Sequence, residues 1–323
     1  MDPHPSCLTC QLPPFLRDGD AVAMISPSYI VPPELVSGAA EVLRSWGYRP
    51  RIGEHVGRVH ARRYAGTLEE RLSDLRAALQ DPQVKAILCN RGGYGALHLM
   101  ERMQPEEFSA EPKWLIGFSD ITMLLEMQNC AGVVGIHGPM DQQIASAGGE
   151  DPGSRLLRAL LRGRIPCYEL PAHPLNLPGR ACGTLVGGNL CTFSPVLGQW
   201  ADATRYDGII LFIEEVEETM HHIDRLMRML RLGGVLDRCR GVVLGEFTGC
   251  GDEFGCGSVE AMLRPLLEPL GIPVLCGFPA GHGGQNVPLL MGAPVTLDVR
   301  QDGASLRFDV PGEQVETILS CLT

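Results

Sequence analysis

The sequence predicts two α/β units in tandem: an N-terminal parallel-sheet α/β domain and a β-rich C-terminal α/β domain. Three observations carry this. Over about the first 150 residues, short apolar runs of strand length alternate with stretches of helical periodicity, the pattern of a parallel sheet covered by helices on both faces. Around 148–182 the character changes, with "PAHPLNLPGR" placing three prolines in ten residues. Beyond residue 180, strand-like runs follow one another with fewer helices between them.

Taken in order, residues 1–17 ("MDPHPSCLTCQLPPFLR") read as an irregular Pro-rich arm. "AVAMISP" is a buried-strand run ended by Pro27. Leu35, Ala39, Val42 and Leu43 then share a helical face that stops at Gly47. Thr67 and Glu70 form a capping box ahead of the stripe Leu68, Leu72, Leu75, Leu79. "KAILCN" is a strand, "GALHLMERM" a helix, "KWLIGFS" a strand, "ITMLLEMQN" a helix and "VVGIHG" a strand, which completes a domain over 18–150. "GSRLLRALLRG" is a short helix within a linker region, 151–180, whose prolines fit a linker or an irregularly connected strand pair. From 181 to 323, "TLVGGN", "GIILFIEE", "GVVLGEF", "PVLCGFP", "PVTLDV" and "SLRFDV" read as strands, and "HIDRLMRMLRLGG" and "SVEAMLRPLLEPLG" as helices.

Composition narrows the function classes. The chain has 323 residues and a formal net charge of −11, which argues against a general nucleic-acid or anionic-membrane surface. No run approaches the roughly 18 apolar residues of a bilayer span, and no charged-then-apolar leader opens the sequence, so a cytoplasmic setting is expected. Most of the 12 cysteines lie in apolar runs, as reduced thiols do. Cys7-x-x-Cys10 is half a zinc pattern without a second pair, and no metal is expected.

Four stretches carry chemistry. In "KWLIGFSDITMLLEM", Ser119 stands where a strand gives way to a helix. A tight turn there exposes a side chain, and the helix start offers free N–H groups to an oxyanion. An N-cap serine is the plain alternative, and the final glycine of G-x-S-x-G is missing. "NRGGYGA" ends another strand. Its Gly92 and Gly93 allow a tight turn presenting N–H groups, while the third glycine of a dinucleotide fingerprint and the P-loop lysine are absent. "LFIEEVEE" ends a buried strand with acids, of which Glu214 is the most buried by position and suits the acid of a triad. In "GFPAGHGGQNVPLLMG", His282 sits between glycines with room to move and little packing role, the best general-base candidate among nine histidines. His137 in "GIHGP" is the second, packing at a strand end near the site.

With "GTLEERLSDLRAAL", "GTLVGGNL" and "IDRLMRML", these stretches resemble the serine LD-carboxypeptidases, the muramoyltetrapeptide carboxypeptidase family, whose relatives include the microcin C self-immunity peptidases. The resemblance runs from about residue 18 to the end. It implies a Ser…Glu…His triad of Ser119, Glu214 and His282, with Glu215 able in principle to replace Glu214. It also implies oxyanion donors at the amides of Asp120 and Gly93; Gly92, Tyr94 and His137 are candidate substrate contacts by their places beside these turns. The implied activity is hydrolysis, without cofactor, of the L,D bond before the terminal D-alanine of a murein tetrapeptide, by a homodimer. Two alternatives stand beside it: an amidase for aminoacyl- or peptidyl-nucleotide conjugates, and a non-catalytic anion- or nucleotide-binding α/β protein.

Overall fold

The structure is a computed structural model and describes residues 8–319, so Cys7 lies outside the described residues, while Cys10 is a half-buried thiol. Five strands build a parallel core: β1 (Ala21–Ile25), β2 (Arg49–Ile52), β3 (Val84–Cys89), β4 (Trp114–Gly117) and β5 (Gly135–His137), in the order β5-β4-β3-β1-β2. β1 and β4 are buried at every position, because the helices Pro33–Ser45, Leu68–Gln80 and Thr122–Cys130 cover the faces of the sheet. The Thr67–Glu70 capping box forms, each side chain accepting the other's backbone N–H, and Leu72, Leu75 and Leu79 are buried. β2, "RPRI", escapes a sequence reading because an edge strand needs no apolar run.

The second sheet has eight strands: β6 (Arg164–Pro171), β7 (Gly179–Asn189), β8 (Ile209–Val216), β9 (Cys239–Thr248), β10 (Val274–Leu275), β12 (Pro294–Val299), β13 (Gly303–Phe308) and β14 (Glu313–Ile318). Their order is β10-β9-β8-β7-β12-β13-β6-β14. β7 to β10 run parallel, and β12, β13 and β6 extend them antiparallel. Two features differ from expectation. The stretch 151–180 is more than a linker: the helix Pro152–Leu161 is followed by β6, which buries Ile165, Tyr168 and Leu170 while Pro166 and Pro171 disguise its strand character. Also, the chain leaves β10, passes through His282 and adds β11 (Leu289–Met291) antiparallel to β5 in the first sheet before returning as β12. The His282 segment is therefore anchored in one sheet before it and in the other after it.

All turns that matter lie at the carboxyl ends of parallel strands, where doubly wound sheets leave open backbone groups. Ser119 follows β4, the glycine turn follows β3, Glu214 lies near the end of β8, and His282 follows β10. Among the described residues no helix is long and apolar enough to cross a membrane.

Candidate active site

Ser119 has φ +63°, a left-handed backbone that a residue with a Cβ adopts at a cost of about 1–3 kcal/mol. It opens a 3₁₀ turn, Ser119–Ile121, that runs into the helix Thr122–Cys130. Its hydroxyl caps neither the turn nor the helix, so the N-cap role weighed from sequence is not the one it fills. Its side chain instead faces the glycine turn: a Cβ at Gly92 would lie 2.9 Å from Ser119 Cβ, 3.0 Å from its Oγ and 3.2 Å from the Asp120 nitrogen. Glycine is required there so that two backbone turns can meet. Gly93, with φ +114°, is held against the Tyr29 ring, and Tyr94 is half-exposed with its ring edge-on to His98.

The Asp120 side chain does work that the sequence did not disclose. It is fully buried, and its Oδ2 accepts from Ser28 Oγ (2.6 Å) and from the Ala96 N–H (2.9 Å), tying the serine turn to the loop after β1 and to the end of the glycine turn. Burial pushes its carboxyl pKa upward, against the pull of those two donors.

On the other sheet, Glu214 Oε2 lies 2.7 Å from His282 Nδ1, with the carboxyl fully buried and the imidazole 18% exposed. Burial raises the Glu214 pKa and the His282 contact opposes that rise. Glu215 points the opposite way, as strand alternation demands. Its oxygens accept from Asn189 Nδ2 (2.8 Å) and from the amides of Cys191 (2.8 Å) and Val216 (2.9 Å), so it holds the turn after β7 and leaves the histidine to Glu214.

The glycines beside His282 serve close approach rather than freedom of movement. A Cβ on Gly281, whose φ is +137°, would stand 2.9 Å from Glu214 Oε2, and Gly283 donates its N–H to Glu246 Oε2 at 2.7 Å. Asn286, fully buried with φ +38°, accepts the Gly281 N–H at 3.1 Å. Glu246 and Asn286 were missed in the sequence. Glu246 carries the same signal as Glu214, an acid closing a buried strand, whereas Asn286 has no signal beyond its place in a glycine-rich loop.

The two groups meet through Phe118, the residue before Ser119. Its ring lies 4.8 Å from the His282 ring and 5.6 Å from that of His137, measured between centroids. His137 is itself fully buried, packed edge-on against Phe212, and its pKa is pushed down to about 3 by burial and by His282. It is thus a neutral ring packed against Phe118. Thr192, beyond β7, donates its hydroxyl to the Ser119 carbonyl at 3.0 Å, a second link across the halves. A cleft of about 490 Å³ opens here, lined by Phe118 and Arg91 on one side and by Glu217, Thr248 and His282 on the other.

Among the described residues no group of three or more His, Cys, Asp or Glu side chains is arranged to hold a metal. Glu218, two residues ahead of the helix Met220–Leu232, meets His222 of its first turn at 2.7 Å.

Comparison with known proteins finds a family match in each half of the chain. The LD-carboxypeptidase N-terminal domain matches residues 22–138, and the LD-carboxypeptidase C-terminal domain matches residues 182–297. A murein tetrapeptide carboxypeptidase of Pseudomonas aeruginosa is 31% identical, over 82% of this chain and 89% of that one. The microcin C7 self-immunity protein MccF of Escherichia coli is 25% identical over 90% and 94%. The crystal structure of a muramoyltetrapeptide carboxypeptidase from Oxalobacter formigenes superposes with a TM-score of 0.81 at 28% identity, covering 90% of this chain and 99% of that one. The chain belongs to the LD-carboxypeptidase family and is a hydrolase of the serine carboxypeptidase type.

Proposed function

We propose that this enzyme removes the terminal D-alanine of murein tetrapeptides, cutting the bond that follows the L-centre of the diamino acid. The observation that carries the reading is the buried Glu214 carboxylate 2.7 Å from His282 Nδ1, with the His282 ring packed on the residue before a strained serine. Glu214 fixes the imidazole with Nδ1 protonated, leaving Nε2 to accept a proton. His282 takes the proton of Ser119, whose Oγ attacks the scissile carbonyl. The oxyanion that forms is received by the backbone N–H groups of Asp120 and Gly93, at a helix start and in a glycine turn. His282 then protonates the departing D-alanine amine, and water opens the acyl-enzyme by the same relay in reverse.

An aminoacyl-nucleotide substrate calls for an aromatic face to carry the base. Tyr168, the aromatic of the 165–182 stretch, is fully buried with its hydroxyl donating to the Pro288 carbonyl, which favours the murein peptide. The test is incubation with a murein tetrapeptide and, separately, with an aminoacyl sulfamoyl adenylate, the products being read by mass spectrometry. Loss of one alanine residue from the peptide is expected. Cleavage of the adenylate alone would replace the proposed substrate, and cleavage of neither would remove it.

A further inference from the structure

The cleft beside His282 carries one charged side chain of each sign that the catalytic proposal does not use. Arg91 lies on the first-sheet wall and Glu217 on the second-sheet wall. Both are exposed. Arg91 spends one N–H on the Ile30 carbonyl at 3.0 Å, and among the described residues no carboxylate stands within ion-pair distance of it. Glu217 likewise has no cation against its carboxylate among the described residues. Its backbone is not free to drift. The N–H is bonded to the Thr248 carbonyl at 2.8 Å, and φ is +51°. A Cβ on Gly249 would come within 3.3 Å of Glu217 Cγ, so the side chain lies across that glycine. Glu217 is one of the five described non-glycine residues with positive φ. Strain of that kind persists where the surrounding structure fixes a side chain's direction.

Two opposite charges on facing walls, neither with an oppositely charged partner among the described residues, match a ligand that carries both signs. We propose that Arg91 and Glu217 are the specificity residues of the cleft: Arg91 takes the terminal carboxylate of the leaving amino acid, and Glu217 takes the side-chain ammonium of the diamino acid before it. The inference rests on the peptidase reading and adds its charge preference. Arg91 immediately precedes Gly92 and Gly93, the turn beside Ser119. The carboxylate of a leaving amino acid is two bonds beyond the scissile nitrogen, so a guanidinium fork at the root of the oxyanion turn is placed for it, and bidentate pairing suits arginine better than lysine. The diamino acid's ammonium hangs from the acyl half of the substrate, the part that stays on Ser119, and Glu217 faces the cleft from the His282 side. The pairing makes the enzyme a carboxypeptidase rather than an endopeptidase: an internal bond would leave Arg91 desolvated against an uncharged amide.

The test crosses two substrate changes with two variants, reading kcat/KM. The peptides end in D-alanine or D-alaninamide, with a free or an acetylated side-chain amine on the residue before. Arg91→Gln is expected to lose about 30-fold or more on the D-alanine peptide, mainly through KM, and less than about 3-fold on the amide. Arg91→Lys recovers part of the loss. Glu217→Gln is expected to lose about 10-fold on the free amine and little on the acetylated one. Equal losses on charged and neutralised substrates, or no loss on either, would overturn the assignment for that residue. Wild-type enzyme inactive on all four peptides would overturn the peptidase reading itself, an outcome distinct from active enzyme without charge discrimination.

Discussion

Glu214 and Glu215 are adjacent acids that the sequence ranks only by position, Glu214 following Phe212 and Ile213 directly. The structure separates them through the two-residue period of β8, which sends one to His282 and the other to Asn189 and two backbone amides. Their variants should therefore fail differently. Glu214→Gln keeps the shape and loses the charge that holds the imidazole tautomer, and kcat is expected to fall by about three to four orders of magnitude with the melting temperature little changed. Glu215→Gln leaves the histidine alone and deprives a backbone N–H of its acceptor, lowering stability by about 1–3 kcal/mol while kcat stays within about tenfold. Steady-state kinetics beside thermal melts distinguish the two, and the reverse pattern would exchange their roles.

Glycine-bounded segments place the chemistry, and each is shaped by what presses against it. Gly281 is the sharpest case, with a φ of +137° that a side chain tolerates poorly and Glu214 Oε2 close to where a Cβ would go. Gly281→Ala is expected to cost about 1–3 kcal/mol in stability. It should also lower kcat by roughly 100-fold, since a displacement of about 1 Å in the proposed base His282 is enough for that. Chemical denaturation and turnover measure the two effects, and an unchanged kcat would show that the loop is not held by this contact. The same elements show what sequence periodicity can and cannot reveal. β1, β3, β4 and β8 are legible because strands buried on both faces read as unbroken apolar runs. β6 is hidden by its prolines, β2 by its arginines at a sheet edge, and β11 by being three residues long. Candidate residues at strand ends, Ser119 and Glu214 among them, were legible for the same reason as the strands. The Asp120 side chain and Glu246 were not, because their partners come from segments distant in sequence: Asp120 is bonded to Ser28, and Glu246 to Gly283.

The two sheets are joined by more than the return of β11 to the first. Glu126, on the helix that follows Ser119, is fully buried and accepts from the Gly187 N–H of β7 (3.1 Å) and the Ala203 N–H (3.3 Å). Burial raises its pKa to about 8. An acid whose folded pKa lies above its unfolded value adds stability that is present in full below the unfolded value and is lost as pH rises through the folded one. Denaturant unfolding should therefore show stability falling between pH about 4.5 and about 8 from this group, and Glu126→Gln should flatten that slope. A slope unchanged in the variant would mean that Glu126 is ionised in the folded protein throughout.

The proposed function gives the whole arrangement a single nucleophile, Ser119. D-alanine release from a murein tetrapeptide by Ser119→Ala, compared with wild type at matched secondary structure and melting temperature, is expected to fall by about four orders of magnitude or more. Release by that variant at a rate within tenfold of wild type would contradict Ser119 as the attacking group, whatever the Glu214–His282 contact does.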